Sequence, residues 1–232
     1  MIMVKLAVFD LDNTLAEHGK GIKKENAELL RRIENDGVRI AIASGKPTYY
    51  LCGFMRQLGL NAPVLLGENG AVIQFDVDLP PRKYFIAEYP EEVAKRLAFI
   101  ESRIKARFPD MWFQPNQVNV TPFPTTEYEF DEVGKIIADC PTEGIHVYRH
   151  VDSFDIVPMG ISKFTGLERL AGLLGITGKE VIAVGDSAND YPMFDFAGES
   201  VGVNVKEENK VDINFHSPDD ALSYILKKIE NE

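Results

Sequence analysis

The chain has 232 residues, 45% of them hydrophobic and 26% charged, which is ordinary for a soluble globular protein. This length suits one large domain, or a core domain with a smaller second one. A net charge of −11 argues against general nucleic-acid binding, which needs a basic face, and against docking on anionic membranes. No apolar run approaches the roughly 18 residues of a membrane-spanning helix.

The first 80 residues alternate between strand and helix patterns. The predicted elements, in chain order, are a strand at 4–10, a helix at 23–36, a strand at 38–43, a helix from Pro47 to about Leu58, a strand at 64–66 and a strand at 71–75. This alternation is typical of a parallel sheet with helices on both faces.

The pattern changes near Leu79-Pro80-Pro81, which we interpret as a hinge. The elements predicted after it are a strand at 83–88, a helix at 90–108, a strand at 112–122, a helix at 127–138 and a hairpin of strands 145–149 and 154–157. They indicate a small α+β domain at 81–158 with an antiparallel sheet. An insertion at the active-site edge of a larger sheet is well placed to act as a lid.

The first pattern returns after residue 158. The last predicted elements are a helix at 163–174, a strand at 181–184, a helix from about Asp190, a strand at 200–205 and a helix capped by Ser217 and Pro218. The sequence therefore predicts a Rossmann-like α/β core, formed by 1–80 and 159–232, that is split by the domain at 81–158.

Two of the apolar strands stop at aspartates. The first runs into Asp10 and Asp12, and the strand at 181–184 runs into Asp186 and Asp190. Chemistry in open α/β sheets is found at the carboxyl ends of such strands. Four carboxylates at one edge would repel each other, so we expect a divalent cation with oxygen ligands between them.

Polar residues elsewhere complete a site for a phosphoryl group. The hydroxyl of Ser44 and the backbone N–H groups that follow it can bind an anion, and Lys163 can neutralise phosphate charge. With Asp10 and Asp12, the chain supplies a carboxylate nucleophile, a general acid, a metal site and a cationic clamp, which are the requirements of phosphoryl transfer.

In these motifs the sequence resembles the haloacid dehalogenase superfamily of phosphohydrolases, over nearly the whole chain. Residues 10–14 (Asp-Leu-Asp-Asn-Thr) match its first motif, Ser44-Gly45 the second, Lys163 the third and residues 185–193 the fourth. Residues 68–71 (Glu-Asn-Gly-Ala) resemble a turn of the Cof-type subgroup, whose type-IIB cap is inserted between the second and third motifs.

The resemblance implies a role for each matching residue. Asp10 would be the nucleophile that forms an aspartyl-phosphate, and Asp12 would protonate the leaving alcohol and then activate water. A carboxylate oxygen of Asp10, the backbone carbonyl of Asp12 and Asp186 would hold Mg²⁺. Asp190 would be a further ligand or would support one.

Phosphate binding is also carried over by resemblance. Ser44, Gly45 and Lys163 would hold the transferring phosphoryl group, with Asn189 as a helper. Lys46 stands where many relatives have arginine, so a second clamp on the substrate is left open.

Substrate choice is expected to come from the cap. The candidates are polar residues of its predicted sheet face: Gln114, Asn116, Asn119, Arg149 and Asp152. His146 and His150 are assigned to the surface, because no metal-ligand spacing joins them.

The leading interpretation is a Mg²⁺-dependent phosphatase of a small phosphomonoester, with sugar phosphates first and phosphoglycolate as the alternative. A phosphomutase of the phosphomannomutase kind would share every core motif, and a non-catalytic phosphometabolite sensor is disfavoured because it needs no nucleophile. We expect no nucleic-acid or membrane partner, and a monomer or homodimer. Two widely separated cysteines and the absence of a signal-peptide pattern at residues 1–5 predict a cytoplasmic protein with reduced thiols.

Overall fold

A computed structural model describes residues 3–231, so Met1 and Ile2 of the opening segment lie outside the described residues. The strands are β1 (Leu6–Phe9), β2 (Arg39–Ala43), β3 (Val64–Gly67), β4 (Val72–Phe75), β5 (Lys83–Ile86), β6 (Trp112–Gln114), β7 (Thr121–Phe123), β8 (Ile145–Arg149), β9 (Phe154–Pro158), β10 (Val181–Gly185), β11 (Glu199–Val203) and β12 (Ile213–Phe215). The α-helices are α1 (Lys24–Asn35), α2 (Thr48–Arg56), α3 (Glu91–Arg107), α4 (Glu127–Ala138), α5 (Lys163–Leu174), α6 (Tyr191–Phe196) and α7 (Pro218–Glu230).

The large sheet has eight strands in the order β12-β11-β10-β1-β2-β3-β4-β5. Strands β1, β2, β3, β10, β11 and β12 are parallel. The pairs β3–β4 and β4–β5 are antiparallel. The observed fold confirms an α/β core with a large parallel sheet, and it adds an antiparallel edge to it.

Helices cover both faces of this sheet, because successive side chains of a strand point to opposite sides. In β1, Ala7 and Phe9 join a buried cluster with residues of α1, α2 and α7. Leu6 and Val8 join a second cluster with residues of α5 and α6. The central strand is therefore apolar throughout and buried on both faces.

The inserted residues build a second, smaller core. Strands β6 and β7 form one hairpin and β8 and β9 another, and a bridge between Val120 and Ile156 joins the two. Apolar residues of α3 and α4 pack on these strands. We call this unit the cap.

Three details differ from the sequence-based expectations. Strand β5 was assigned to the inserted domain, but it pairs with β4 and extends the large sheet. The single strand expected at 112–122 is two short strands, since residues 115–120 turn between them. Strand β12 was missed, because three half-buried residues give too short a pattern.

Two glycines bring α5 against the turn that follows β3. Gly70 has a φ of +92°, and a Cβ on Gly166 would lie 2.5 Å from the Cα of Gly70. A side chain at either position would meet backbone atoms, which cannot move aside easily. This contact therefore fixes where the first turn of α5 lies relative to the sheet.

We expect Gly166→Ala to lower the free energy of unfolding by about 1–3 kcal/mol, because the added methyl group overpacks this contact. Gly172→Ala is the matched control in the same helix. A Cβ there meets nothing within 4 Å, so replacing an exposed helical glycine should be neutral or stabilise by about 0.5–1 kcal/mol. Urea denaturation of both variants checks the pair, and equal midpoints would contradict the expected crowding at Gly166.

Candidate active site

Three neighbouring strands deliver polar residues to one edge of the sheet. Strands β10, β1 and β2 lie side by side and parallel, so Asp186, Asp10 and Ser44 follow them at the same end. The backbone N–H of Asp10 donates to Val184 at 2.8 Å, which extends the pairing of β1 with β10. The predicted convergence of these residues is what the geometry shows.

A cluster of three carboxylates lies at this edge. Asp10, Asp186 and Asp190 each offer an oxygen, and these oxygens lie within 4.8 Å of one another. The Nζ atom of Lys163 lies 2.6 Å from Oδ1 of Asp10 and 2.6 Å from Oδ1 of Asp190. Lys163, Asp10 and Asp190 are all buried, so one ammonium group faces an excess of negative charge.

Lys163 reaches the cluster because α5 begins there. Ser162 caps the helix: its hydroxyl accepts from the backbone N–H of Thr165 at 3.3 Å. The Thr165 hydroxyl in turn accepts from the N–H of Ser162 at 3.0 Å. This reciprocal capping fixes the first turn, and Lys163 is its first residue.

Asp190 organises the loop that follows β10. Its Oδ2 accepts from the backbone N–H groups of Asp186 (2.9 Å) and Ser187 (3.2 Å), while Lys163 binds its Oδ1. Both oxygens therefore have partners in the protein. The Oδ1 atom of Asn189 accepts from the Ser187 hydroxyl at 2.7 Å.

Asp12 lies beside the cluster and not within it. Its Oδ2 is 2.5 Å from Nζ of Lys46, and its Oδ1 is 3.5 Å from Nδ1 of His18. The sequence left the role of Lys46 open, and the structure pairs this lysine with Asp12. The two aspartates of the first motif thus have different partners and different surroundings.

The loop after β2 turns tightly around Ser44. The Ser44 hydroxyl accepts from the backbone N–H of Lys46 at 3.2 Å, and the carbonyl of Gly45 accepts from Nε2 of Gln114 in the cap at 3.0 Å. A Cβ on Gly45 would lie 3.0 Å from a carboxylate oxygen of Asp155. Cap residues therefore lie directly over this loop.

The buried charges shift the ionisation of the cluster. Burial, together with the charges of Asp190 and Asp186, raises the pKa of Asp10 to about 7, although Lys163 acts in the opposite direction. Burial and the charge of Asp190 raise the pKa of Asp186 to about 6. Burial alone would lower the pKa of Lys163, but the carboxylates of Asp10 and Asp190 outweigh it and raise that pKa. The site holds too much negative charge for its one lysine.

Of the five cap residues predicted to set substrate choice, two contact the core: Gln114 donates to the carbonyl of Gly45, and Asn119 donates to the carbonyl of Glu68 at 2.9 Å. Asn116 donates to the Thr121 hydroxyl, within the cap, at 2.9 Å. Arg149 instead stacks on the rings of Phe130 and Phe154. Asp152 accepts from the neighbouring Ser153 hydroxyl at 3.0 Å.

Two buried carboxylates that join the core to the cap are not predicted from the sequence. Glu68 is buried and accepts from three successive backbone N–H groups of the cap, those of residues 117–119, at 2.8–3.2 Å. Asp155 is buried within β9, and His150, which was assigned to the surface, lies against it with 3.3 Å between Nε2 and Oδ2. A single charged residue in the apolar run of β9 was the available signal for Asp155.

Comparisons with known proteins agree with this geometry. The family model described as haloacid dehalogenase-like hydrolase matches residues 7–96 and 113–213. A phosphoglycolate phosphatase of Thermoplasma volcanium is 27% identical over 199 residues, covering 83% of this chain and 82% of the relative.

Solved structures show the same fold. A haloacid dehalogenase-like hydrolase from Bacteroides thetaiotaomicron superposes with a TM-score of 0.79 at 25% identity, covering 98% of this chain and 99% of the other. A subclass IIB sugar phosphatase superposes with a TM-score of 0.69 at 21% identity, covering 98% of each chain. Since the family model spans most of the sequence and includes all four motifs around the carboxylate cluster, this chain belongs to the haloacid dehalogenase-like hydrolases.

Proposed function

We propose that the protein is a Mg²⁺-dependent phosphatase that hydrolyses a small phosphomonoester through an aspartyl-phosphate on Asp10. The observation that carries this proposal is the buried Lys163, held between Asp10 and Asp190 at the edge where β1, β2 and β10 end. A carboxylate nucleophile, a fixed cation and an anion-binding loop meet there, and phosphoryl transfer depends chiefly on such positioning and charge stabilisation.

The donor set fits a hard divalent cation. The candidate ligands are carboxylate oxygens of Asp10 and Asp186 and the backbone carbonyl of Asp12, and oxygen ligands are what Mg²⁺ prefers. Within residues 3–231, no hydrogen bond reaches Oδ2 of Asp10. Both oxygens of Asp190 accept hydrogen bonds from the protein, which favours a positioning role over direct coordination. One of them nevertheless lies within 4.8 Å of oxygens of Asp10 and Asp186, so Asp190 is kept as a candidate ligand.

The chemistry divides between the two aspartates of the first motif. A carboxylate oxygen of Asp10 attacks phosphorus and forms an acyl-phosphate bond, while the bond from phosphorus to the ester oxygen breaks. Asp12 gives its proton to that leaving oxygen. Asp12 then takes a proton from water, which attacks the same phosphorus and releases inorganic phosphate and free Asp10.

The remaining residues hold the phosphoryl oxygens. Lys163 and the Ser44-Gly45 loop stabilise their negative charge, and Asn189 is a candidate helper that would have to turn away from Ser187. Mg²⁺, when bound, offsets the charge of the carboxylates and of the phosphoryl group. The cap lies over this loop, and we propose that it selects the leaving group.

Phosphoglycolate and related phosphorylated hydroxy acids are the substrate class that we place first. The Thermoplasma volcanium relative named phosphoglycolate phosphatase supports this choice at the level of sequence, whereas the sugar phosphatase shares only the fold. Sugar phosphates, which are the first expectation from the sequence, become the second candidate substrate class. A phosphomutase would pass the phosphoryl group to a sugar hydroxyl in place of water, and dependence on a bisphosphate activator would identify it.

Location and assembly remain proposals. Within the described part of the chain, no helix has the length and apolarity needed to cross a bilayer. Cys52 and Cys140 are both free and buried, which supports a reducing, cytoplasmic setting. A monomer or homodimer that binds only a small phosphate ester is consistent with these features.

The primary test is phosphate release from a panel of phosphomonoesters with Mg²⁺ and with EDTA. We expect release that EDTA abolishes, and Asp10→Asn should lower kcat at least about 1,000-fold, because the nucleophile is lost. Asp195→Asn, an exposed aspartate in α6, is the matched control and should keep full activity. Release that persists in Asp10→Asn would exclude Asp10 as the nucleophile.

Asp12→Asn should separate the two roles of Asp12. With alkyl phosphates, whose leaving oxygen needs a proton, we expect kcat to fall by about 100- to 10,000-fold. With p-nitrophenyl phosphate, whose leaving group needs no proton, the first step should survive and a phosphorylated enzyme should accumulate. Intact-protein mass spectrometry after rapid quenching measures that species. Equal losses with both esters and no phosphoenzyme would contradict the assigned acid–base role.

Without a divalent cation, we expect stability to fall as pH rises from about 5 to about 8. The pKa values of Asp10 and Asp186 in the folded protein are raised to about 7 and about 6. In this pH range the folded protein therefore keeps protons on both carboxylates that the unfolded chain has already released. The stabilisation of the folded state by these two protons is complete below the ordinary aspartate pKa of 3.8, and it is lost as pH rises past the pKa values of the folded protein.

Bound Mg²⁺ should therefore raise Tm more at about pH 8 than at about pH 5, because it binds the ionised carboxylates. Thermal melts with and without the ion measure this difference, and Asp186→Asn should reduce it while Asp195→Asn should not. The same Tm shift at both pH values would count against a cation at these carboxylates.

A further inference from the structure

A buried polar network joins the cap to the core above the Ser44-Gly45 loop. Asp155 of β9 is its centre. Its Oδ1 accepts from the Thr121 hydroxyl at 2.8 Å, and its Oδ2 accepts from Nδ2 of Asn69 at 2.8 Å. Because a Cβ on Gly45 would lie 3.0 Å from the same Oδ2, Asp155 lies directly beside the proposed phosphate-binding loop.

His150 is the cationic member of this network. Its Nε2 lies 3.3 Å from Oδ2 of Asp155, and 33% of its side chain is exposed. Its backbone N–H donates to the carbonyl of Ser153 at 2.9 Å, so it opens the turn between β8 and β9. Within residues 3–231, no hydrogen bond uses its Nδ1. One edge of the ring is therefore held by Asp155, and the other is available to a ligand.

The surroundings of His150 favour its charged form. The hydrogen bond to Asp155 raises the pKa of His150 above its ordinary value of 6.5, and the charges of Asp155 and Asp152 act in the same direction. Burial and the charge of Lys163 oppose them. In turn, burial would raise the pKa of Asp155, but the hydrogen bond and charge of His150, together with the hydrogen bonds from Asn69 and Thr121, outweigh it and lower that pKa.

Nearby cations are engaged elsewhere. The guanidinium of Arg149 stacks on Phe130 and Phe154, and Lys46 is paired with Asp12. Lys163 is held between two carboxylates. His150 is thus the cap residue that can present positive charge with an open hydrogen-bond donor next to the Ser44-Gly45 loop.

We propose that His150, oriented by Asp155, is a specificity-determining residue that binds a carboxylate on the leaving group of the substrate. The inference rests on the proposed phosphatase function and narrows its substrates to phosphorylated hydroxy acids, as opposed to neutral alcohol or sugar phosphates. Asp155 is a positioning residue, since it acts through the imidazole.

Two matched ester pairs test this role: phosphoglycolate against 2-hydroxyethyl phosphate, and 3-phosphoglycerate against glycerol 3-phosphate. In each pair, the first ester has a carboxylate where the second has a neutral hydroxymethyl group. The wild-type protein should favour the acids. His150→Gln should raise KM for the acids by about 10- to 100-fold, the size of one charge-assisted hydrogen bond, and leave KM for the neutral esters nearly unchanged.

His146→Gln is the matched control, because His146 is an exposed histidine of the same hairpin. It should leave both classes unaffected. His150→Arg keeps a positive charge and should retain part of the preference for acids. In the wild-type protein, KM for the acids should rise as pH passes above the pKa of His150. In His150→Arg this rise should be absent.

An NMR titration provides a readout that is independent of catalysis. The chain has four histidines, and His150→Gln assigns the imidazole signal of His150. Asp155→Asn should lower the pKa of that imidazole, because the partner that stabilises its charge is neutralised. An unchanged pKa would overturn the assigned link between the two residues.

The outcomes separate the inference from the proposed function. Hydrolysis of acids and neutral esters with similar kcat/KM, or equal loss of both in His150→Gln, would overturn the role of His150 and leave the phosphatase function standing. If the wild-type protein with Mg²⁺ releases phosphate from other esters of the panel but from none of these four, the inference falls and the phosphatase function stands. Release from no ester of the panel would contradict the proposed function, and the inference with it.

Discussion

The architecture of the site depends on one buried lysine between two carboxylates. Burying an ion pair costs desolvation free energy, and removing one partner leaves an uncompensated charge. The position of Lys163 therefore depends on three features. They are the capping of α5 by Ser162 and Thr165, the close contact of Gly166 with Gly70, and the loop that holds Asp190 beside the ammonium group. A single ammonium group cannot balance all the carboxylates around it, so their pKa values rise. The site therefore keeps an excess of negative charge, which a bound divalent cation would offset.

The cap is tied to this site by polar contacts from several strands. Gln114 donates to the carbonyl of Gly45, and Asp155 accepts from the side-chain amide of Asn69. Glu68 of the core accepts from backbone N–H groups of the cap. These bonds are buried or half-buried, where an unmade hydrogen bond costs more than in water. The cap therefore has a defined position over the loop.

The core of the fold and the convergence of its motifs were predictable from sequence, and the reasons are physical. Strands β1 and β10 are apolar throughout and end at aspartates, so their place in a buried parallel sheet and the meeting of Asp10 with Asp186 follow from strand geometry. Lys163 was predicted from its motif alone, because a lysine at the start of a helix gives no sign in the sequence that it is buried. What was missed depends on contacts between distant segments. His150 reads as a surface residue until β9 brings Asp155 beside it, and β5 reads as part of the insertion until β4 pairs with it.

The carboxylate of Glu68 holds the cap through the backbone of the cap. The three N–H groups that its carboxylate accepts belong to residues 117–119, and every residue other than proline carries such a group. These three carboxylate bonds therefore do not depend on which side chains residues 117–119 carry, and the Asn119 side chain adds a separate bond to the backbone carbonyl of Glu68. The cap can therefore change its side chains along this segment, to any residue other than proline, while its attachment through the carboxylate of Glu68 persists.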